Sequence, residues 1–311
     1  MKTVSTKDMP REEWLRLRKT GIGGSDAGAV CGVNEYRSAA DVFFDKISAE
    51  VADIEDNEAM RQGRDFEEYV ARRFEEQMGL KVRRSNYLYR SDEHPFMIAD
   101  VDRLIVGENA GLEIKTCSSF STDKWADGKI PDSYLVQTAH YMAVTGWQYA
   151  YIACLVLGKE LVIRKVERDE ELIKNIIIVE DSFWNGHVLK GILPEADGSS
   201  SYDALLNRYF GTTRKETVPL TGFDEDLRRR KELSELIDRM ETEKNTIDQK
   251  IKLFMAENEY GLADGYRVSW SNVESSRLDT KKLKADHPEI FDAYARVSST
   301  RRFMVKEVAV A

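Results

Sequence analysis

Between Glu58 and Met78 apolar side chains recur every fourth residue, at Phe66, Val70, Phe74 and Met78, and Gly79 follows. Such spacing keeps one helix face apolar, and the glycine suits a helix C-cap, so an amphipathic helix is predicted over 58–78. Strands are predicted near 82–90, 96–106 and 110–116. Upstream, REEWLRLRK (11–19) reads as a short helix broken by GIGGSDAGAV, and Ser38 to Ile47 as another. Downstream, Tyr134 to Val144 reads as a helix, 148–157 and 160–167 as a β-ribbon turning at Gly158, and 169 to about 190 as a helix. The glycine–serine cluster at 198–201 and GTTRKETVPLTG at 211–222 read as surface connection.

Beyond Gly222 the texture changes. Leu233, Ile237, Met240, Lys244, Ile247, Ile251 and Phe254 alternate steps of four and three, a heptad seam with one cationic position at its centre. Packing on its own domain and pairing with another chain both suit so short a seam. A small β element (YRVSWSNV), a helical patch near 279–295 and a final strand (RRFMVKEV) complete the chain. The domains are therefore set at 1–210, a linker at 211–222 and an extension at 223–311.

The stretch Phe96–Thr116 carries the most chemistry. It reads as two strands joined by a glycine-containing turn, with Asp102, then Glu113 and Lys115. Alternation in Leu112-Glu113-Ile114-Lys115 separates an apolar pair from a charged pair. Two carboxylates beside a lysine suit a hard divalent ion, Mg²⁺ or Mn²⁺, next to a phosphate, with Lys115 assisting the attacking water or stabilising the transition state. A surface salt bridge on an exposed strand is the plainer alternative. Glu67, next to the apolar-stripe residue Phe66, can edge towards the sheet and reach a metal through water; a solvated helix glutamate is its plainer reading. In Trp14–Val30, Ser25 or Asp26 can N-cap a helix, and Gly21, Gly23 and Gly24 let backbone approach a ligand beside Arg18 and Lys19, which suits an anion. Gln137 and Tyr141 share one helical face, whereas His140 points elsewhere and reads as structural. No HxxxH or HxH pairing supports histidine ligation.

Composition narrows these readings. A formal charge of −9 weakens a nucleic-acid role without excluding it, because Arg72, Arg73, Lys81, Arg83, Arg84 and Arg90 cluster ahead of Asp102. Three cysteines without CxxC spacing argue against a disulfide framework, a zinc finger and an iron–sulfur cluster, and suit a reducing compartment. No apolar run reaches the length of a membrane span, and the N-terminal sequence lacks a signal-peptide core.

Trp14-x-x-x-Arg18 with GIGGSD, Gly63-x-x-x-Glu67, Asp102…Glu113-Ile114-Lys115 and Gln137-x-x-x-Tyr141 follow one another in an order that resembles the YqaJ-type viral recombinase exonucleases. These are relatives of the phage lambda exonuclease in the PD-(D/E)xK nuclease superfamily, and the resemblance covers about residues 10–190. Val101 stands where the usual proline precedes the aspartate. The resemblance implies an α/β fold: a restriction-endonuclease-like core with a central mixed β-sheet flanked by helices, followed by the long helix and small α+β extension. It implies a metal-dependent 5′→3′ double-strand DNA exonuclease that leaves 3′ single-stranded tails for recombination. Asp102, Glu113 and the Ile114 carbonyl would hold metal, two Mg²⁺ or Mn²⁺ ions during catalysis, and Lys115 would assist the water. Glu67 and Gln137 would support the site. Arg18 and Ser25 would grip a 5′-phosphate, with Tyr141 beside them. Asp100 competes with Asp102, the two being expected on one face of a regular strand, and Asp92 matches a further acidic position. Implied partners are duplex DNA ends, two further copies in a ring-shaped trimer, and a single-strand annealing protein; the implied location is the cytoplasm of a bacterial host, with a phage or prophage origin. The rivals are a RecB-like or structure-specific endonuclease, and a non-catalytic DNA-binding module.

Overall fold

The strand-forming stretches of the first two hundred residues build two sheets. The computed structural model describes residues 1–49, 57–296 and 301–307, and the chain divides into two units, Met1–Gly211 and Thr212–Ala311. The first unit opens with β1 (Lys2–Ser5), which carries no periodic signal in the sequence, and continues with α1 (Arg11–Arg18), α2 (Gly24–Val30), α3 (Ala39–Ile47) and α4 (Glu58–Met78). Asn57 caps α4 through the amide of Met60 at 2.9 Å, and Gly79 ends it at φ 69°. β2 (Val82–Arg84), β3 (Tyr87–Arg90), β4 (Ile98–Asp100), β5 (Arg103–Ile105) and β6 (Gly111–Cys117) follow, then α5 (Asp132–Thr145), β7 (Tyr149–Val156), β8 (Glu160–Glu167), α6 (Glu170–Phe183) and α7 (Ser200–Tyr209).

Two stretches predicted as single strands are broken. The chain leaves β2 through Ser85 and Asn86, the latter left-handed at φ 52°, and leaves β4 through Val101 and Asp102. The four short strands then separate. β3 and β4 join β1 in a three-stranded antiparallel sheet, while β2 and β5 join a five-stranded sheet ordered β2-β5-β6-β7-β8. Only β6 and β7 run parallel in the larger sheet, and a parallel pair needs a crossover, which includes α5.

The larger sheet is covered on both faces. Val70, Ala71 and Phe74 of α4 pack on Ile105, Leu112, Ile114, Tyr151 and Ala153, although Phe66 is only half-buried and Met78 is 39% exposed, so the apolar stripe is buried at its centre alone. The opposite side holds the larger cluster, which includes Val42, Phe43, Met97, Met142 and Ile152. Eight residues of α5 are buried there, so this helix is embedded rather than amphipathic. Two predicted boundaries move. α6 ends at Phe183 and passes into a π-helical turn over Trp184–Val188. The 198–201 cluster starts α7 instead of forming plain connection, because the Ser199 hydroxyl accepts the Tyr202 amide at 3.1 Å as an N-cap.

In the second unit, 212–222 carries no regular element, and α8 (Asp224–Met255) spans 32 residues. The hairpin of β9 (Tyr260–Ala263) and β10 (Tyr266–Ser269) turns at Gly265, φ 73°, before α9 (Thr280–Asp286) and α10 (Pro288–Tyr294). The apolar seam residues of α8 are open to solvent, from Ile251 at 38% to Phe254 at 93%. Packing of the seam on its own domain is therefore not observed among the described residues. Residues 301–307 form no strand, and the last position of the expected strand, 308, lies outside the described residues. This segment is held by side chains instead, Glu307 pairing with Lys231 at 2.7 Å.

Candidate active site

Two different surfaces of β6 do two different things. Leu112 and Ile114 enter the α4 core, so Glu113 and Lys115 turn towards α5, as alternation along a strand requires. That face is closed: Glu113 is 5% exposed, which rules out an exposed-strand salt bridge. Lys115 Nζ donates to Glu113 Oε1 at 2.6 Å and lies 4.9 Å from the centre of the Tyr134 ring. Asp102 is brought alongside by the break after β4, where its Oδ2 accepts the Ile114 amide at 2.8 Å. Burial raises the Asp102 pKa well above the carboxylate range and the neighbouring Glu113 charge adds to this, against the pull of Lys115. Burial works against the Lys115 ammonium, but Glu113 and Asp102 outweigh it and its pKa rises.

A chain of donors fixes this group from the side of α5. Gln137 Nε2 donates to Glu113 Oε1 at 2.6 Å and to the Tyr141 hydroxyl at 2.8 Å, and that hydroxyl donates to the Asp100 carbonyl at 3.0 Å. The Asp100 carboxylate does not share a strand face with Asp102, because the backbone turns between them. It accepts the indole N–H of Trp14 at 2.9 Å, and burial raises its pKa against the opposing effects of Arg18 and Trp14.

Trp14 also links this group to the glycine-rich loop. Arg18 stacks over its ring at 4.8 Å and donates to Ser25 Oγ at 2.7 Å. Neither Ser25 nor Asp26 caps α2; Gly23 occupies that position, and its amide donates to Asp26 Oδ2 at 3.1 Å. Asp26 is buried, pairs with Arg37, and receives Lys46 Nζ at 2.7 Å while Lys46 also donates to the Arg18 carbonyl at 3.0 Å. Burial would raise the Asp26 pKa, but Lys46, Arg37 and Arg18 hold it well below the usual range. The helix start is thus already served by a carboxylate, and the groups offered to an incoming anion are Arg18 and Ser25. Gly24 allows this loop to reach the donor chain: a Cβ there would sit 2.3 Å from Tyr141 Cε1. One cleft of about 190 Å³ is lined by Arg18, Ser25, Asp100, Asp102, Glu113, Lys115, Gln137 and Tyr141, together with Gly23, Gly24, Leu88 and Ile98.

The model of the YqaJ-like viral recombinase domain matches residues 13–148, an interval that contains every lining residue of the cleft. The YqaJ protein of Bacillus subtilis (strain 168) is 39% identical over 310 residues, 98% of this chain and 97% of its own. The chain belongs to this family. Its fold is also that of LHK-Exo, an alkaline exonuclease from Laribacter hongkongensis, whose complex with dAMP superposes with a TM-score of 0.50 at 20% identity over 64% of this chain and 98% of that one.

Three family-implied residues stand apart from the cleft lining: Glu67, Asp92 and Ile114, whose side chain packs in the α4 core. Glu67 forms an ion pair with the buried Arg103, although its charge is still felt by Asp102 and Asp100. Asp92 pairs with the Met1 amino group and does not line the cleft. The donors that the resemblance implies for a metal are Asp102, Glu113 and the Ile114 carbonyl; among the described residues no cluster of three or more His, Cys, Asp or Glu side chains is arranged to hold an ion. Lys115 bonds Glu113 alone, Asp102 lines the same cleft, and Glu113 Oε2 is buried without a hydrogen-bond partner. These groups fit a hard divalent ion. Sequence reasoning missed Trp14 as the link between Arg18 and Asp100, Tyr134 over Lys115, Arg103 behind Glu67, and the Asp26–Lys46 pair. Only Lys46 had a usable signal, a cation on the face of α3 that carries Val42 and Phe43.

Proposed function

We propose that this protein is a metal-dependent deoxyribonuclease that removes nucleotides 5′→3′ from duplex ends and leaves 3′ single-stranded tails for recombination by strand annealing. Membership in the viral recombinase family and likeness to an exonuclease fold support a nuclease role. One observation carries the exonuclease reading: Arg18 and Ser25 open into the same small cleft as Asp102, Glu113 and Lys115. A terminal phosphate held by that arginine brings the bond next to it, rather than an internal one, to the carboxylates.

Asp102, Glu113 and the Ile114 carbonyl would hold Mg²⁺ or Mn²⁺, which when bound acidifies water and neutralises charge on the phosphorus centre. A second ion would draw on Glu67 or Asp100. Lys115, kept charged by its two carboxylate neighbours, places its ammonium beside the reacting phosphate and stabilises negative charge that develops there. Gln137 holds the Glu113 carboxylate in place and leaves Oε2 without a protein donor. Tyr141 stays protonated, since burial and then Glu113 and Asp102 raise its pKa well above that of a free phenol, so its hydroxyl acts as a fixed strut. The partners proposed on the resemblance are duplex ends, further copies in a trimer and a single-strand annealing protein, acting in a bacterial host cytoplasm. Among the described residues no helix is long and apolar enough to cross a membrane.

The test is digestion of a linear duplex labelled separately at its 5′ and 3′ ends, with Mg²⁺ and with EDTA. Metal-dependent release from 5′-phosphorylated ends with 3′ strands surviving is expected, and Lys115→Ala abolishes it while binding persists. Cleavage of circles, or a Lys115→Ala protein of normal rate, overturns the assignment.

A further inference from the structure

Part of the arginine cluster ahead of Asp102 reassembles where α4 meets β2 and β5. Arg72 of α4 and Arg83 and Arg84 of β2, all exposed, line a cleft of about 450 Å³ together with Glu68, Glu75 and Arg103. Both carboxylates already have partners. Glu68 accepts Arg103 at 3.1 Å and Arg84 at 3.4 Å, and Glu75 accepts Lys81 at 3.0 Å and the Val82 amide at 2.9 Å. Among the described residues Arg83 pairs with no carboxylate, and Arg72 reaches Glu76 only at 3.9 Å. Four guanidiniums against two committed carboxylates make this a cationic cleft on a chain of net charge −9. Arg90, by contrast, turns away to the Thr20 carbonyl at 3.2 Å, and Arg73 is taken by Tyr69 and Glu76.

The cleft adjoins the candidate active site through one side chain. The buried guanidinium of Arg103 touches Glu68 in the cleft with one nitrogen and Glu67 with the other, and Glu67 acts electrostatically on Asp102. We infer that Arg72, Arg83 and Arg84 form a second contact for the substrate, a cradle for the phosphodiester backbone of duplex DNA away from the bond being cut. Arginine suits this role because its forked donors fit phosphate oxygens, and backbone contacts hold register without reading sequence. The identity of the polyanion rests on the nuclease reading, but the contact itself is measured without cleavage.

Fluorescence anisotropy of a 5′-phosphorylated duplex bound to the full chain in EDTA, between 50 and 200 mM salt, tests it. Each phosphate contact adds about 0.9 to the slope of log K against log salt, so Arg72→Gln/Arg83→Gln lowers the slope by about 1.8. Its deficit against the wild type then shrinks roughly twelve-fold across that fourfold range of salt. A control removing two cations elsewhere on the same unit, Lys174→Gln/Lys190→Gln, keeps the wild-type slope. An unchanged slope in the arginine variant, or an equal fall in the control, overturns the cradle. Failure of the nuclease reading appears separately, as wild-type protein that binds duplex yet cuts nothing with Mg²⁺.

Discussion

Gly24→Ala isolates the contact on which the site depends, the approach of the glycine-rich loop to the donor chain of α5. The added Cβ would lie 2.3 Å from Tyr141 Cε1, 2.7 Å from Cζ and 3.0 Å from Gln137 Cγ, all below ordinary van der Waals separation. Tyr141 is 4% exposed and anchored at its hydroxyl on both sides, so the ring has no free direction. If α2 withdraws, the cost is that of overpacking a core, about 1–3 kcal/mol. If the ring yields, two hydrogen bonds of about 1 kcal/mol each are lost, and Gln137 loosens from Glu113. The better helix propensity of alanine returns at most about 1 kcal/mol. The net loss of up to about 3 kcal/mol corresponds to a fall in Tm of up to roughly 12 °C for a unit of this size. Misplacing Gln137 and Ser25 by about an ångström costs on the order of a hundredfold in rate. Gly23→Ala is the internal control: its Cβ meets nothing closer than Asp26 Oδ2 at 3.6 Å, and its backbone, φ −90° and ψ 166°, suits alanine. Thermal denaturation and initial rates on a 5′-phosphorylated duplex, read for both variants, decide the matter. Matching Tm and matching rates for the two would refute the packing argument.

Arg18→Ala leaves Ser25 without its partner and removes the charge facing a terminal phosphate; preference for phosphorylated over hydroxyl 5′ ends is expected to fall about 10–100-fold, the value of a charged hydrogen bond. Unchanged preference removes Arg18 from that role. Asp26→Asn keeps an acceptor for Gly23 but leaves the buried Lys46 with only the partly exposed Asp45 at 3.8 Å as counter-charge, so the cost is at most about 3–5 kcal/mol. Because the folded carboxyl of Asp26 has a lowered pKa, its stabilisation is present above the ordinary carboxylate range and fades as pH falls through its folded value. The Tm deficit of Asp26→Asn is therefore expected to be largest near neutral pH and to narrow in acid, and a deficit that widens with acidification counts against the pair.

The long-period signals were the legible part of the fold. α4 and the β7–β8 ribbon follow from spacing and from Gly79 and Gly158, because local pattern and tertiary context agree there, whereas α8 follows from its heptad spacing alone. The breaks after β2 and β4 were not legible, since Ile98-Ala-Asp-Val-Asp-Arg-Leu-Ile105 contains no glycine or proline to mark one. What fixes the second break is the capture of the Ile114 amide by Asp102, a contact twelve residues away. β1 was equally hidden, because its four residues are exposed and gain their structure from pairing with β3. At the site, alternation separated Glu113 and Lys115 from Leu112 and Ile114, but nothing local says that the charged face would be the one roofed by α5. The order of motifs, not the composition of any single one, supplied that.

The roof explains why the local rules fail at this point. A strand with a charged face is stable beside water, and covering it buries Glu113 and Asp102 side by side, with Lys115 bonded to Glu113. The apolar face of the same strand offsets that cost, since Leu112 and Ile114 are packed by Val70, Ala71 and Phe74 of α4. Every donor near Glu113 then converges on one oxygen: Lys115 and Gln137 both bond Oε1, and Oε2 is left bare. For stability alone, sharing the two donors between the two oxygens would be better. A bare oxygen alone does not mark a site, since Glu180 Oε2 is equally bare in the buried pair with His140; what sets Glu113 apart is that its bare oxygen belongs to a cleft that a second buried carboxylate, Asp102, also lines, where a cation would take up the remaining valence.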